Sequence, residues 1–175
     1  FDLVRGSLTN TPVEWDGDKA KDMIETLKDS SRGNLVRVRE VVNTLNPNEN
    51  ISKGVESLEE LIFSFKAKTS LDIDFKVNGE ITKISPNINI VLYRIIQESL
   101  TNAIRHGHAD NILIRLVYNQ NSIDLLIKDN GVGVKEIEKG FGLKSMEDRV
   151  FSLGGTISFM SSDGFSIVAN IPLEV

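Results

Sequence analysis

The sequence predicts an α+β fold in which one mixed sheet is covered on one face by helices, with a long amphipathic helix running ahead of it. Apolar residues repeat at helical spacing in some segments and alternate strictly in others, and each change of period falls at a turn signal. Several of the alternating segments follow one another across tight polar turns, the signature of antiparallel pairing. At 175 residues and 40% hydrophobic content, the chain is long enough for one ordinary domain and a modest extra element.

Residues 1 to 17 are turn-rich, with Gly6, Asn10, Pro12 and Gly17, and Asp16 and Asp18 are both candidate caps for a helix. From 18 to 46, Ala20, Met23, Leu27, Ser31, Asn34, Val38, Val42 and Leu45 recur at three and four residues among charged neighbours, until Pro47 ends the helix. A helix of about 30 residues with one apolar stripe is long for a globular domain and calls for a partner, either another helix or a second subunit. Packing against its own domain is the plainer alternative. The polar stretch 46–53 marks the expected boundary between a helical region, 1–47, and a second domain, 48–175.

Beyond it, Leu58, Leu61, Ile62 and Phe65 define an amphipathic helix over 55–67. Leu71, Ile73, Phe75 and Val77 then alternate as a strand ending at Asn78-Gly79, and a short strand over 81–84 is expected to complete a hairpin. Pro86 suits a helix start, and 88–105 continues without a breaker through Ile95, Ile96 and Leu100. Residues 112–117 and 123–127 form two apolar strands around Asn119-Gln120-Asn121. A glycine-bearing loop over 129–142 leads to a helix over 143–153, stopped by Gly154-Gly155, and strands over 156–160 and 165–171 pair around Asp163-Gly164.

Composition narrows the function. A formal charge of −5 and a pI near 5.1 give no clustered cation surface for a phosphate backbone, so nucleic acid is not an expected partner. The chain has no cysteine, which removes disulfide and thiolate–metal chemistry and fits a reducing, cytoplasmic setting. No apolar run approaches the roughly 20 residues that span a bilayer, so no membrane contact is expected from this stretch. The start at Phe1 suggests a piece of a longer protein, whose upstream part is a candidate for a membrane anchor or sensor.

Three short patterns carry chemistry. Glu98 and Asn102 stand one turn apart on the same face of a helix, a pair of hard oxygen donors suited to Mg²⁺ shared with phosphates; a solvated polar stripe is the competing reading. Asp129-Asn130-Gly131-Val132-Gly133 places a carboxylate at a strand end, able to accept from the exocyclic amine of adenine. Gly131 and Gly133 there permit close backbone approach, although the string alone also reads as a turn. Gly140-Phe141-Gly142-Leu143 precedes a helix, where free backbone N–H groups and the helix dipole favour an anion, or form only a plain cap. In this order, the three patterns supply magnesium, adenine and phosphate subsites.

The string Tyr-Arg-Ile-Ile-Gln-Glu-Ser-Leu-Thr-Asn-Ala-Ile-Arg-His at 93–106 resembles the asparagine box of sensor histidine kinases, in the subfamily that includes nitrate, desaturase and cell-envelope stress sensors. Residues 129–133 and 140–143 match its glycine boxes, and ordered matches extend over 90–173. The resemblance implies a Bergerat-type nucleotide fold, shared with gyrase, the Hsp90 chaperones and the MutL repair proteins, with ATP and Mg²⁺ beneath a mobile lid at 134–142. It implies catalytic roles for Glu98 and Asn102, with Asn102 on the metal. It also implies nucleotide contacts from Arg105, His106, Asp129, Gly131, Gly133, Gly140, Gly142 and Leu143. Where the family often has Gly-Thr before its last strand, this chain has Gly164-Phe165-Ser166, and Ser166 is the candidate substitute. Residues 18–46 resemble the second helix of the family's dimerisation hairpin, implying a homodimeric kinase that phosphorylates a histidine outside this stretch and then a response regulator. His106 and His108 do not replace that acceptor. The rival functions are a nucleotide-binding regulatory module without turnover and an anti-sigma-type serine kinase on the same fold.

Overall fold

The computed structural model describes residues 54–81 and 84–173. The helix expected over 18–46 and the boundary at 46–53 lie outside the described residues. The first described helix, α1 (Val55–Lys68), buries Leu58, Leu61 and Ile62 and carries Lys66 and Lys68 in its last turn, where they complement the helix dipole. Strand β1 (Asp72–Asn78) comes next, with Ile73 buried and Asp72, Asp74 and Lys76 on the solvent side, as a period of two requires.

After Gly79 the structure departs from the expected hairpin. Ile81 and Ile84 are irregular, and Ile81 is 60% exposed. Strand β1 pairs in parallel with β2 (Asn111–Tyr118), from Asp72 opposite Asn111 to Asn78 opposite Val117. Parallel neighbours need a crossover rather than a tight turn, and helix α2 (Pro86–Asn102) supplies it. Ser85 caps α2, its hydroxyl accepting from the Ile88 amide at 3.4 Å, and Pro86 occupies the first turn, where a missing N–H costs nothing.

Helix α2 is the spine of the core. Ile88, Leu92, Ile95, Ile96 and Leu100 are almost completely buried, which at 1.5–3 kcal/mol per side chain amounts to about 10 kcal/mol of apolar burial. The helix ends earlier than its pattern suggests, because Ala103–Gly107 form a π-helical turn and His108 takes a left-handed conformation at φ 49°.

Strand β3 (Ser122–Asp129) runs antiparallel to β2; α3 (Phe141–Ser152), β4 (Thr156–Ser161) and β5 (Phe165–Pro172) complete the domain. The sheet order is β1-β2-β3-β5-β4, parallel at the first pair and antiparallel elsewhere. This is the mixed sheet the sequence predicts. Ile112, Ile114, Leu116, Ile123, Leu125, Ile127, Ile167, Ala169 and Ile171 are buried in one core with the helices. Alternate residues such as Asp74, Lys76, Leu126, Lys128 and Val168 are exposed on the other face. No described helix is long and apolar enough to cross a membrane.

Candidate functional site

A cavity of about 520 Å³ opens between the end of α2, the adjoining ends of β3 and β5, the loop after β3 and the start of α3. Pockets of a few hundred Å³ with an apolar floor and a few converging polar groups are the usual form of a small-molecule site. Ile127, Phe165 and Ile167 supply apolar floor, and Glu98, Asn102 and Asp129 supply polar groups.

Asp129 is the last residue of β3 and is 8% exposed. Its Oδ1 accepts from the Gly131 amide at 2.8 Å and from the Phe165 amide at 3.1 Å. Two fixed backbone donors hold the carboxylate in one orientation, and Oδ2 takes no hydrogen bond among the described residues, leaving it for a ligand. The next residue ties the same loop from behind: the Asn130 side chain accepts from the Asp110 and Asn111 amides and donates to Asp110 Oδ1 at 2.7 Å. Gly131 crosses Gly107 so closely that a Cβ on it would lie 2.5 Å from the Gly107 carbonyl oxygen. The Val132 amide donates to that same oxygen at 2.9 Å.

Opposite this loop, Glu98 and Asn102 reach the cavity from successive turns of α2. Neither side chain has a hydrogen bond or ion pair among the described residues. A carboxylate and an amide oxygen, hard donors one turn apart and otherwise uncommitted, fit a divalent cation that keeps waters and shares its shell with phosphates. Among the described residues no cluster of three or more His, Cys, Asp or Glu is arranged to hold a metal by itself, so any such ion depends on the ligand for much of its shell. The π-helical turn then brings His106 and Gly107 to the same cavity.

The third wall is the start of α3. Gly140 caps it with no side-chain acceptor. The amides of Gly142 and Leu143 lie in the first turn, where no intrahelical carbonyl is available to them, and both residues line the cavity.

Residues 87–175 match the family described as histidine kinase-, DNA gyrase B-, and HSP90-like ATPases. The chain belongs to that ATPase family. It is 37% identical over 165 residues to sensor histidine kinase LnrJ of Bacillus subtilis (strain 168), covering 91% of this chain and 41% of that protein. It is 28% identical over 162 residues to the histidine-protein kinase/phosphatase DegS of Brevibacillus brevis, covering 89% and 42%. The chain therefore spans about two-fifths of the length of these relatives. The fold is also that of the ATP binding domain of PrrB from Mycobacterium tuberculosis, at TM-score 0.54 and 23% identity over 66% of this chain and 89% of that one. The histidine kinase domain of the Erythrobacter litoralis EL346 blue-light activated kinase aligns at TM-score 0.56 and 17% identity, over 67% and 59%. The chain thus carries the ATP-binding domain found in sensor histidine kinases, and its curated relatives are two-component sensor kinases.

In this member of the ATPase family, the cavity gathers Glu98, Asn102, His106, Asp129, Gly133, Gly140, Gly142 and Leu143 from three separate stretches of sequence. Three expected contacts lie elsewhere. Gly131 does not line the cavity and packs instead against Gly107, which does. Arg105 is exposed and does not line the cavity. Ser166 falls between Phe165 and Ile167, which do line it, so strand alternation turns Ser166 to the opposite face of the sheet. The segment expected as a lid over 134–142 is irregular only as far as Gly140, because Phe141 and Gly142 already belong to α3. Its far end is tied down by Lys139, whose ammonium pairs with Glu147 at 2.6 Å and stands 5.7 Å from the Phe159 ring centroid. Residues not named as contacts in the sequence also reach the cavity: Val134, Glu136, Ile137 and Glu138 from the expected lid, Phe165 beside Ser166, and Ile127 and Ile167, which no motif singled out. Ile127 was recoverable, since it lies two residues before Asp129 on the same strand face.

Proposed function

We propose that this chain binds ATP with Mg²⁺ in the cavity, and that the intact protein passes the γ-phosphoryl group to a histidine on a dimerisation hairpin and then to an aspartate of a response regulator. The observation that carries the reading is Asp129: a nearly buried carboxylate, oriented by two backbone amides, with one oxygen left to accept from a purine amine. Ile127, Phe165 and Ile167 offer the base an apolar bed. The amides of Gly142 and Leu143 receive phosphate oxygens, and His106 also lines the cavity.

The divalent ion, when bound, neutralises phosphate charge and aligns the phosphoryl group. Asn102 would hold it through its amide oxygen. Glu98, one turn earlier, orients the attacking imidazole and accepts its proton as the new P–N bond forms and the bond to ADP breaks. Little covalent work falls to the protein, and positioning and charge stabilisation account for most of the catalysis. Under this reading residues 1–47 form part of the dimerisation region, with a helix over 18–46, and 48–175 the catalytic domain, working in the cytoplasm as part of a homodimer.

Calorimetry with a nonhydrolysable ATP analogue and magnesium tests the binding step directly. Asn102→Ala should abolish the magnesium-dependent part of the affinity, and Asp129→Asn should weaken binding at least tenfold by removing a charge-assisted acceptor. No heat at millimolar nucleotide from the unmodified chain would refute the assignment. Transfer is tested by adding a separate hairpin carrying the acceptor histidine: acid-labile label from γ-labelled ATP should appear on it and be lost with Glu98→Ala. A chain that binds ATP yet never labels such a hairpin would instead be a nucleotide-dependent regulatory module.

A further inference from the structure

Ser161, at the end of β4, lies outside the cavity lining, yet the loop at Gly133-Val134, which lines the cavity, and the turn at Gly164 meet at its hydroxyl. Its Oγ accepts from the Val134 amide at 2.7 Å and donates to the Gly164 carbonyl at 3.2 Å. Gly133 packs directly on it: a Cβ there would lie 2.8 Å from Ser161 Oγ and 3.0 Å from the Gly164 carbonyl oxygen, and the residue has φ 62°. Gly164, at φ 99°, is pressed against the Asp129 backbone, and the amide of its neighbour Phe165 is one of the two donors that orient the Asp129 carboxylate. One hydroxyl therefore links the root of the loop over the cavity, at Gly133-Val134, to the turn that fixes Asp129 and Phe165.

We infer that Ser161 is a positioning residue for nucleotide binding: it sets the base-recognising wall formed by Asp129, Gly133 and Phe165, and fixes the point from which the 134–140 loop swings. The inference rests on the ATP reading of the cavity. Val134 is 50% exposed and belongs to an irregular segment, so little besides this bond holds its amide in place. An alanine at 161 leaves that amide and the Gly164 carbonyl without their partner. The wall then has no fixed register against the loop, although no group that touches nucleotide has been removed.

This role differs in its signature from that of Asn102. Ser161 acts on the base side, so its loss should weaken all adenine nucleotides by one common factor, whatever their phosphates or metal. Ser161→Ala, Ser161→Thr and the unmodified chain should be compared by calorimetry with a nonhydrolysable ATP analogue plus magnesium and with ADP plus chelator. Amide hydrogen exchange at Val134 should be followed in parallel. The expected result for Ser161→Ala is about a tenfold loss for both ligands, the equivalent of one hydrogen bond, with faster exchange at Val134 and at least partial recovery of both in Ser161→Thr. Unchanged affinity in Ser161→Ala, a loss confined to the magnesium complex, or a threonine variant as weak as alanine would each overturn the inference while leaving the ATP reading intact. An unmodified chain that binds neither ligand would overturn both together.

Discussion

Gly131 shows how closely single residues are constrained around this site. A methyl group there would lie 2.5 Å from the Gly107 carbonyl oxygen, a contact between two backbones that no side-chain rotation relieves. Gly131→Ala should therefore cost about 1–3 kcal/mol in denaturant unfolding, the usual cost of overpacking, and weaken nucleotide binding, since the shift propagates to Asp129 two residues away. A second residue works in the opposite direction. The Tyr118 hydroxyl is buried with no hydrogen-bond partner among the described residues, and burial raises its pKa above the ordinary 10.0. Tyr118→Phe should stabilise the fold by about 1 kcal/mol, because a buried polar group without a partner is itself a penalty. The pH dependence has the same cause. With the folded pKa above the unfolded one, the contribution is complete below pH 10 and falls as pH rises toward the folded value, because the unfolded chain ionises first. Chemical unfolding at successive pH values should show wild type losing stability above pH 10, with Tyr118→Phe spared that loss. The residue scale is also where sequence reading divides most clearly. Asp129, Glu98 and Asn102 were legible because strand-end and one-turn spacing fix where they point. Ser166 does not line the cavity, which no local pattern reveals, because its face depends on which strand residue enters the cavity, and Phe165 does.

Elements were easier to read than their partners. Periodicity located α1, α2 and all five strands, because buried stripes and alternation are local properties of the chain. The hairpin expected after β1 failed on a non-local fact: β1 finds its neighbour in β2, beyond the whole of α2. Residues 71–84 read alone do not reveal that choice; its mark appears only in the fold, where the Arg115 side chain pairs with Asp74 across the parallel strands and donates to the Asp74 carbonyl at 2.8 Å. That pairing holds the Asp74 carboxyl below its ordinary range. The π-helical turn at 103–107 was equally hidden, since the apolar run continues through Ile104 without a breaker. At the other end of α2 the signal was plain, and its energetic weight is measurable. Ser85→Ala should cost about 0.5–1 kcal/mol, the low side of an N-cap loss because the capping bond is 3.4 Å long. Ser85→Asp, which keeps an acceptor beside the positive end of the helix dipole, should recover most of it.

Across the whole domain, charge decides how the cavity takes a ligand. Glu98, Asp129, Glu136 and Glu138 line it, while no Lys or Arg among the described residues does, and the chain as a whole carries −5. A nucleotide triphosphate arriving without a cation meets repulsion from several carboxylates in a partly enclosed space, where screening is weaker than in bulk water. The backbone amides of α3 supply only partial positive charge, worth roughly 0.3–1 kcal/mol each when exposed, too little to offset a bare triphosphate. Magnesium should therefore govern the stabilisation of the domain by nucleotide and not merely its turnover. With a nonhydrolysable ATP analogue at a hundred times its Kd and excess magnesium, mass action gives about 2.7 kcal/mol, or roughly a 10 °C rise in Tm for a domain of this size. With chelator in place of magnesium at the same nucleotide concentration, differential scanning fluorimetry should show less than half that rise. Glu136→Gln with Glu138→Gln, which removes two of the four carboxylates, should narrow the gap between the two conditions. An equal rise with and without the ion would mean that the protein's own donors suffice for the phosphates, and that the acidic wall stays clear of the bound nucleotide.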